Sequence, residues 1–175
     1  MQQKIYFTAN QQFGRPSAIR DFQRPFENVE DMNLSLEESW NSTVEKDDIV
    51  YVLGNFAWDP TTAEDMLKRL NGTIVLVEGE HDSAIRDLSK RKVMPKDCGL
   101  VEPLFSSPTE KIAISYWPMH EWPGKSKGYY HFFGFPNKKY KTDHKKKMVN
   151  VACDFWGYKP KSLDSIMDLF NDIET

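Results

Sequence analysis

Apolar positions divide the chain into a first part with alternating periods and a second part made mostly of short runs. Ile5-Tyr6-Phe7-Thr8 reads as a short buried strand close to the start. A loop rich in Gln, with Gly14 and Pro16, leads to Val29, Met32, Leu36 and Trp40. These recur at three- and four-residue steps and line one face of a helix, with Asn28 placed to cap its free amides. Ile49-Val50-Tyr51-Val52-Leu53 is continuous and largely β-branched, as in a strand covered on both faces. Asp59-Pro60 opens a second helix with Met66, Leu67 and Leu70 inward, Asn71-Gly72 closes it, and Thr73 to Val77 forms a third strand.

That order of strand, helix, strand, helix, strand predicts an α/β fold with crossover connections. The helical period then fades. Lys111 to Ser115, Gly128 to Phe133 and Met148 to Ala152 read as strands between Pro- and Lys-rich loops. Ser162 caps a last helix with Leu163, Ile166, Met167 and Phe170 on its inner face. No repeat or linker interrupts the pattern, so the expectation is one domain over residues 1–175.

Composition adds exclusions. At 175 residues with 39% hydrophobic and 13% aromatic content, the chain has enough to bury a core and is unlike a disordered one. No apolar run reaches the ~18–20 residues of a spanning helix, and Met1 to Lys4 has no signal-peptide pattern. The expected location is cytoplasmic. Cys98 and Cys153 are too few for a disulfide framework or a zinc knuckle and read as ordinary buried thiols of a reducing compartment. The net charge of −3 is unevenly spread: residues 124–161 hold ten Lys and two Asp, a basic lobe on a mildly acidic protein.

Candidate chemistry lies at the strand ends, where open α/β sheets place ligands. In order the segments are Thr8 to Gly14, Leu53 to Ala57, Gly79-Glu80-His81-Asp82, Ser115-Tyr116-Trp117-Pro118 and Gly134-Phe135-Pro136-Asn137. Their order and spacing resemble the small bacterial and phage members of the calcineurin-like metallophosphoesterases, whose blocks are D-x-H, G-D, G-N-H-D, an H before Y-P, and G-H-x-H. Arg24-Pro25-Phe26, Trp40-Asn41-Ser42 and the stretch from Asn150 to Pro160 match as well, so the likeness spans about residues 4–166. It implies a four-layer sandwich of two mixed β-sheets flanked by helices. It also implies, in active relatives, two divalent metals at the strand ends that activate water against a phosphate ester.

Here every ligand position departs from that pattern. The family's first Asp and His fall on Asn10 and Gln12, its bridging Asp on Asn55 and its Asn ligand on Glu80. The His before Y-P falls on Tyr116, and both His of G-H-x-H on Phe135 and Asn137. His81 alone is retained, at the position of the general acid. An amide keeps the shape of Asp but not the charge that two cations need, and Phe135 has no ligand atom and the bulk to fill metal space. The expectation is a neutral cluster of amides and hydroxyls with no metal and no cofactor.

The resemblance and these losses together predict a pseudoenzyme that binds another macromolecule. A protein partner leads, and a phage protein that engages and inhibits a bacterial host factor is the refinement. Tyr116, Trp117, Trp122 and Phe135 are its candidate aromatic anchors, with Lys138, Lys139 and Lys141 beside them. Two readings stay open as alternatives. One is a phosphoesterase with a site rebuilt from Glu80, His81, Asp82 and either His120 or Asp154. The other is a nucleic-acid binder working through the lysine lobe. The bland expectation for Glu80 and Asp82 is a solvated or salt-bridged loop, since neighbours in an extended loop point apart.

Overall fold

A strand that is apolar on both sides needs a layer above and a layer below, and the chain supplies both. The structure, a computed structural model, describes residues 3–95, 97–101, 104–107 and 109–171. The strands are β1 (Ile5–Thr8), β2 (Ile49–Leu53), β3 (Thr73–Val77), β4 (Cys98–Val101), β5 (Leu104–Ser107), β6 (Ile112–Ser115), β7 (Tyr130–Phe133), β8 (Met148–Asn150) and β9 (Lys161–Ser162). The helices are α1 (Ser17–Phe22), α2 (Val29–Asn41), α3 (Pro60–Arg69), α4 (Ser83–Arg91) and α5 (Leu163–Asn171).

Two mixed sheets result. The first runs β4-β3-β2-β1-β9, parallel except for β9, with Ile5 opposite Ile49 and Ile49 opposite Thr73. The second runs β5-β6-β7-β8, parallel except for β5. The protein is therefore α/β, with two mixed sheets and flanking helices.

The alternation of side chains along each strand divides the core. Val50, Val52, Ile74 and Leu76 point outward from the first sheet and pack with Met32, Leu36 and Trp40 of α2, Met66 and Leu67 of α3, and Ile85 and Leu88 of α4. The opposite parity, Phe7, Leu53 and Val77, meets Ile112, Ile114 and Phe132 of the second sheet, and Ile166 and Phe170 of α5 join this inner cluster. Phe7 stacks on Tyr51 at 5.4 Å and meets Phe132 edge-on at 4.9 Å. Burying each such side chain contributes about 1.5–3 kcal/mol.

Helix ends follow their local chemistry. The Asn28 side chain accepts from the Asp31 amide, Asp59 from Thr62, and Ser162 from Ser165. Trp40 also donates to the Asn71 carbonyl at 2.9 Å, tying α2 to the turn after α3.

Several elements have no clear signal in the sequence. Residues 17–22 fold as a short helix inside the expected loop, and α4, β4, β5 and β9 all lie where no element is read. The far face of the second sheet is covered by Trp122, reaching over from the 116–129 loop. Its ring stacks on His131 at 5.2 Å and its Nε1 donates to the Tyr129 carbonyl.

Candidate functional site

The strand ends converge on one cleft of about 960 Å³. β1, β2 and β3 contribute the turns at Asn10, Asn55 and Glu80, while β6, β7 and β8 contribute Tyr116, Phe135 and Asp154. Pairing continues past the strands: the Asn10 amide donates to the Gly54 carbonyl, and Gln12 and Phe13 donate to Asn55 and Phe56. Asn10, Gln12 and Asn55 all have φ near +60° (63°, 58° and 57°), a left-handed backbone that costs most side chains about 1 kcal/mol or more. Gly134 closes the approach of the two sheets, because a Cβ there would overlap the Leu53 carbonyl and Ala9.

The inward side chains are spent on one another. Asn10 donates from Nδ2 to Asp154 Oδ2 at 2.7 Å, and since a carboxylate only accepts, this orients its amide. Its Oδ1 then faces Gln12 Nε2 at 2.8 Å and Asn55 Nδ2 at 3.5 Å. Asn55 donates to the Tyr116 hydroxyl at 2.9 Å, and its Oδ1 accepts from the His81 backbone amide at 3.0 Å. Gln12 Oε1 accepts from Arg15 at 3.0 Å. Burial pushes the Tyr116 phenol up to about 12 despite the Asn55 hydrogen bond, so it is neutral at physiological pH.

Two anchors beneath this network correct the sequence reading. The cluster is not neutral: the Arg24 side chain is 0% exposed and donates to both Asp154 oxygens, at 2.8 and 3.0 Å. Its other hydrogens go to the Asn10 and Gln11 carbonyls, so one guanidinium clamps the first turn to the segment after β8. Asp82, expected in a solvated or salt-bridged loop, is instead buried and accepts from the amides of Asn55, Phe56 and Gly79 at 2.7–2.8 Å. Burial pushes its carboxyl upward, and the three amides oppose that shift. Glu80 is exposed, as expected for that loop.

The aromatic candidates separate. Trp122 is buried, 7% exposed, so it is a packing residue and not an anchor. Tyr116 is also buried and lies in the lining of the cleft. Trp117 is 51% exposed and packs on Phe135 at 4.9 Å, and Phe135 in turn contacts Tyr140 at 5.6 Å. On the other side, exposed Trp58 lies 5.8 Å from the His81 ring and under the Arg15 guanidinium, and Phe155 lines the cleft. Trp58, Tyr140 and Phe155 are not among the aromatic anchors expected from the sequence, since nothing in their local pattern separates an exposed ring from a buried one.

Lys138 and Lys141 line the cleft and Lys139 is exposed beside them. Cys153 is buried as expected and burial pushes its thiol upward, whereas Cys98 is half-buried, its thiol pushed up to about 11.

The donor set does not fit a pair of divalent cations. The amides of Asn10, Gln12 and Asn55 are committed to each other and to their neighbours, both Asp82 oxygens to backbone amides and Asp154 to Arg24 and Asn10. His120 is exposed beside Glu121, outside the cleft lining. Among the described residues no three His, Cys, Asp or Glu side chains converge on a point that would hold a metal.

Fold and site thus define an α/β protein of two mixed sheets, with a cleft of interlocked amides at its strand ends. No protein-family profile matches the chain. It is 32% identical over 171 residues to uncharacterized protein MJ1445 of Methanocaldococcus jannaschii, across 95% of this chain and 90% of that protein. The chain belongs to the same family as that archaeal protein. The crystal structure of AQ665, a protein of unknown function from Aquifex aeolicus, shares the fold with a TM-score of 0.70 and 19% identity, over 96% of this chain and all of the other.

Proposed function

We propose that this chain is a catalytically inactive protein of metallophosphoesterase-like fold that works by binding a macromolecule across the mouth of its cleft. One observation carries the reading: the cleft is open, but Asn10, Gln12, Asn55 and Tyr116 are hydrogen-bonded to one another while apolar rings stand exposed around the rim. A hydrolase needs free charged ligands or a free base at its centre. A binding surface needs pre-positioned aromatic anchors with polar groups near them.

The rival reading, a rebuilt metal site, calls on Glu80, His81, Asp82 and either His120 or Asp154; Glu80 and His81 line the cleft, but Asp82 and Asp154 are already committed and His120 lies outside the lining. The test has two arms. Purified protein given manganese or nickel is expected to retain less than stoichiometric metal and to leave an aryl phosphodiester intact. Capture from a cell lysate is expected to recover a stoichiometric macromolecule that the Trp117→Ala bait loses. Retention of about two metal equivalents, with turnover abolished by His81→Ala, overturns the proposal.

A further inference from the structure

Resting on the binding reading above, we infer that the macromolecule is a single-stranded nucleic acid, held with its bases on the Trp117–Phe135–Tyr140 aromatic wall and its phosphates on the lysines of residues 138–145. The first support is the contiguity of that wall. Trp117 and Phe135 lie 4.9 Å apart, Phe135 and Tyr140 5.6 Å, and Trp117 and Tyr140 are each about half exposed. Trp117 and Tyr140, tilted 36° and 64° to the Phe135 ring between them, each leave ring surface open for one base, and stacking accepts any base.

The second support is that the lysine segment is built and held. The Asn137 side chain accepts from the Lys139 amide, and the Tyr140 amide returns to the Asn137 carbonyl. Buried Asn150 then donates to both the Phe135 and Tyr140 carbonyls, at 2.9 and 2.7 Å, fixing both ends of the turn that carries Tyr140. Lys138, Lys139, Lys141 and Lys145 are exposed, and among the described residues none of them pairs with a carboxylate. Lys146 is the contrast, since it is taken up by Asp143.

The charge pattern also selects an orientation. Glu80 lies in the cleft lining, whereas Asp21 is paired with Arg15 and Arg20 and Asp154 with Arg24. Phosphates therefore fit the unpaired lysines and not Glu80, and bases fit the rings beside those lysines, Phe135 and Tyr140 being carried on the same segment. An acidic peptide would satisfy the lysines but leave the exposed Trp117 and Tyr140 rings without a flat partner.

The experiment is fluorescence anisotropy with a labelled oligothymidylate of about twelve nucleotides, titrated from about 50 to 200 mM salt. Four released counterions predict a log–log salt slope of about −3 for a single strand. Trp117→Ala is expected to weaken binding by about tenfold, the loss of one stacked base. Lys139→Ala with Lys145→Ala is expected to flatten the slope by about half. Both sites are exposed, so unchanged thermal melting verifies that the variants fold.

Absence of binding at about 100 µM protein overturns the inference, as do a flat slope, equal affinity for duplex, or poly-glutamate binding that is indifferent to Trp117→Ala. The parent reading fails separately. Manganese-dependent shortening of the probe on a denaturing gel refutes the non-catalytic proposal, whereas an intact, unbound probe refutes only the choice of partner.

Discussion

Removing Asp154 should unlock the floor of the cleft. Its two oxygens take three hydrogen bonds from nitrogen, two from Arg24 and one from Asn10, with a longer one from the Cys153 thiol, and the Arg24 side chain has no exposure through which water could replace them. Asp154→Ala therefore leaves a buried guanidinium without a counter-charge, a loss of about 3–5 kcal/mol when one partner of a buried pair is deleted. Asp154 is itself 13% exposed, so water entering its vacated place puts the expectation near the lower end, about 3 kcal/mol. For a domain of this size that is a drop of about 6–12 °C in melting temperature.

Urea denaturation followed by tryptophan fluorescence measures the loss. The decisive comparison is the double variant Arg24→Met with Asp154→Leu, which removes both charges. It should be less destabilised than the sum of the single variants by at least about 1 kcal/mol, because the cost of each single lies largely in the charge it strands. A single-variant loss under about 1 kcal/mol, or strict additivity in the double, refutes the reasoning.

Two further outcomes are expected. His131 is 0% exposed, accepts from the Met119 amide at 3.1 Å and packs between Trp122 and Phe133, and burial pushes its pKa below the ordinary 6.5. The unfolded chain therefore binds its proton first, and stability falls as pH drops below 6.5, by up to about 1.4 kcal/mol per unit until the folded value is reached. His131→Gln should lose that component of the slope in denaturation series between neutral and mildly acidic pH, and an unchanged slope counts against it. Asp82→Ala orphans three buried amides and should cost at least about 2–3 kcal/mol in chemical denaturation, while a near-neutral result means that those turns are held from elsewhere.

The cores of both sheets were legible because apolar parity in a strand and apolar period in a helix are local properties. The continuous run from Ile49 to Leu53 reports that β2 is covered on both faces, and the structure assigns Val50 and Val52 to the helix side and Leu53 to the second sheet. The helix α4 was hidden because Ser83 to Arg91 is mostly polar, with Ala84, Ile85 and Leu88 its buried positions. The edge strand β4 was hidden because Cys98-Gly99 carries no strand propensity of its own.

At the site, the sequence by itself determined which residue types stand at the strand ends, among them the amides of Asn10, Gln12 and Asn55 and the rings of Tyr116 and Phe135. Only the tertiary structure decided what those groups do. Hydrogen bonds between Asn10 and Asp154, or from Arg24 to the same carboxylate, join residues more than a hundred positions apart, and no local pattern reports them. The same holds for the split between Trp122 and Trp117, one buried on His131 and the other standing at the cleft. Composition makes them equivalent; burial, which depends on what the rest of the chain folds over, does not.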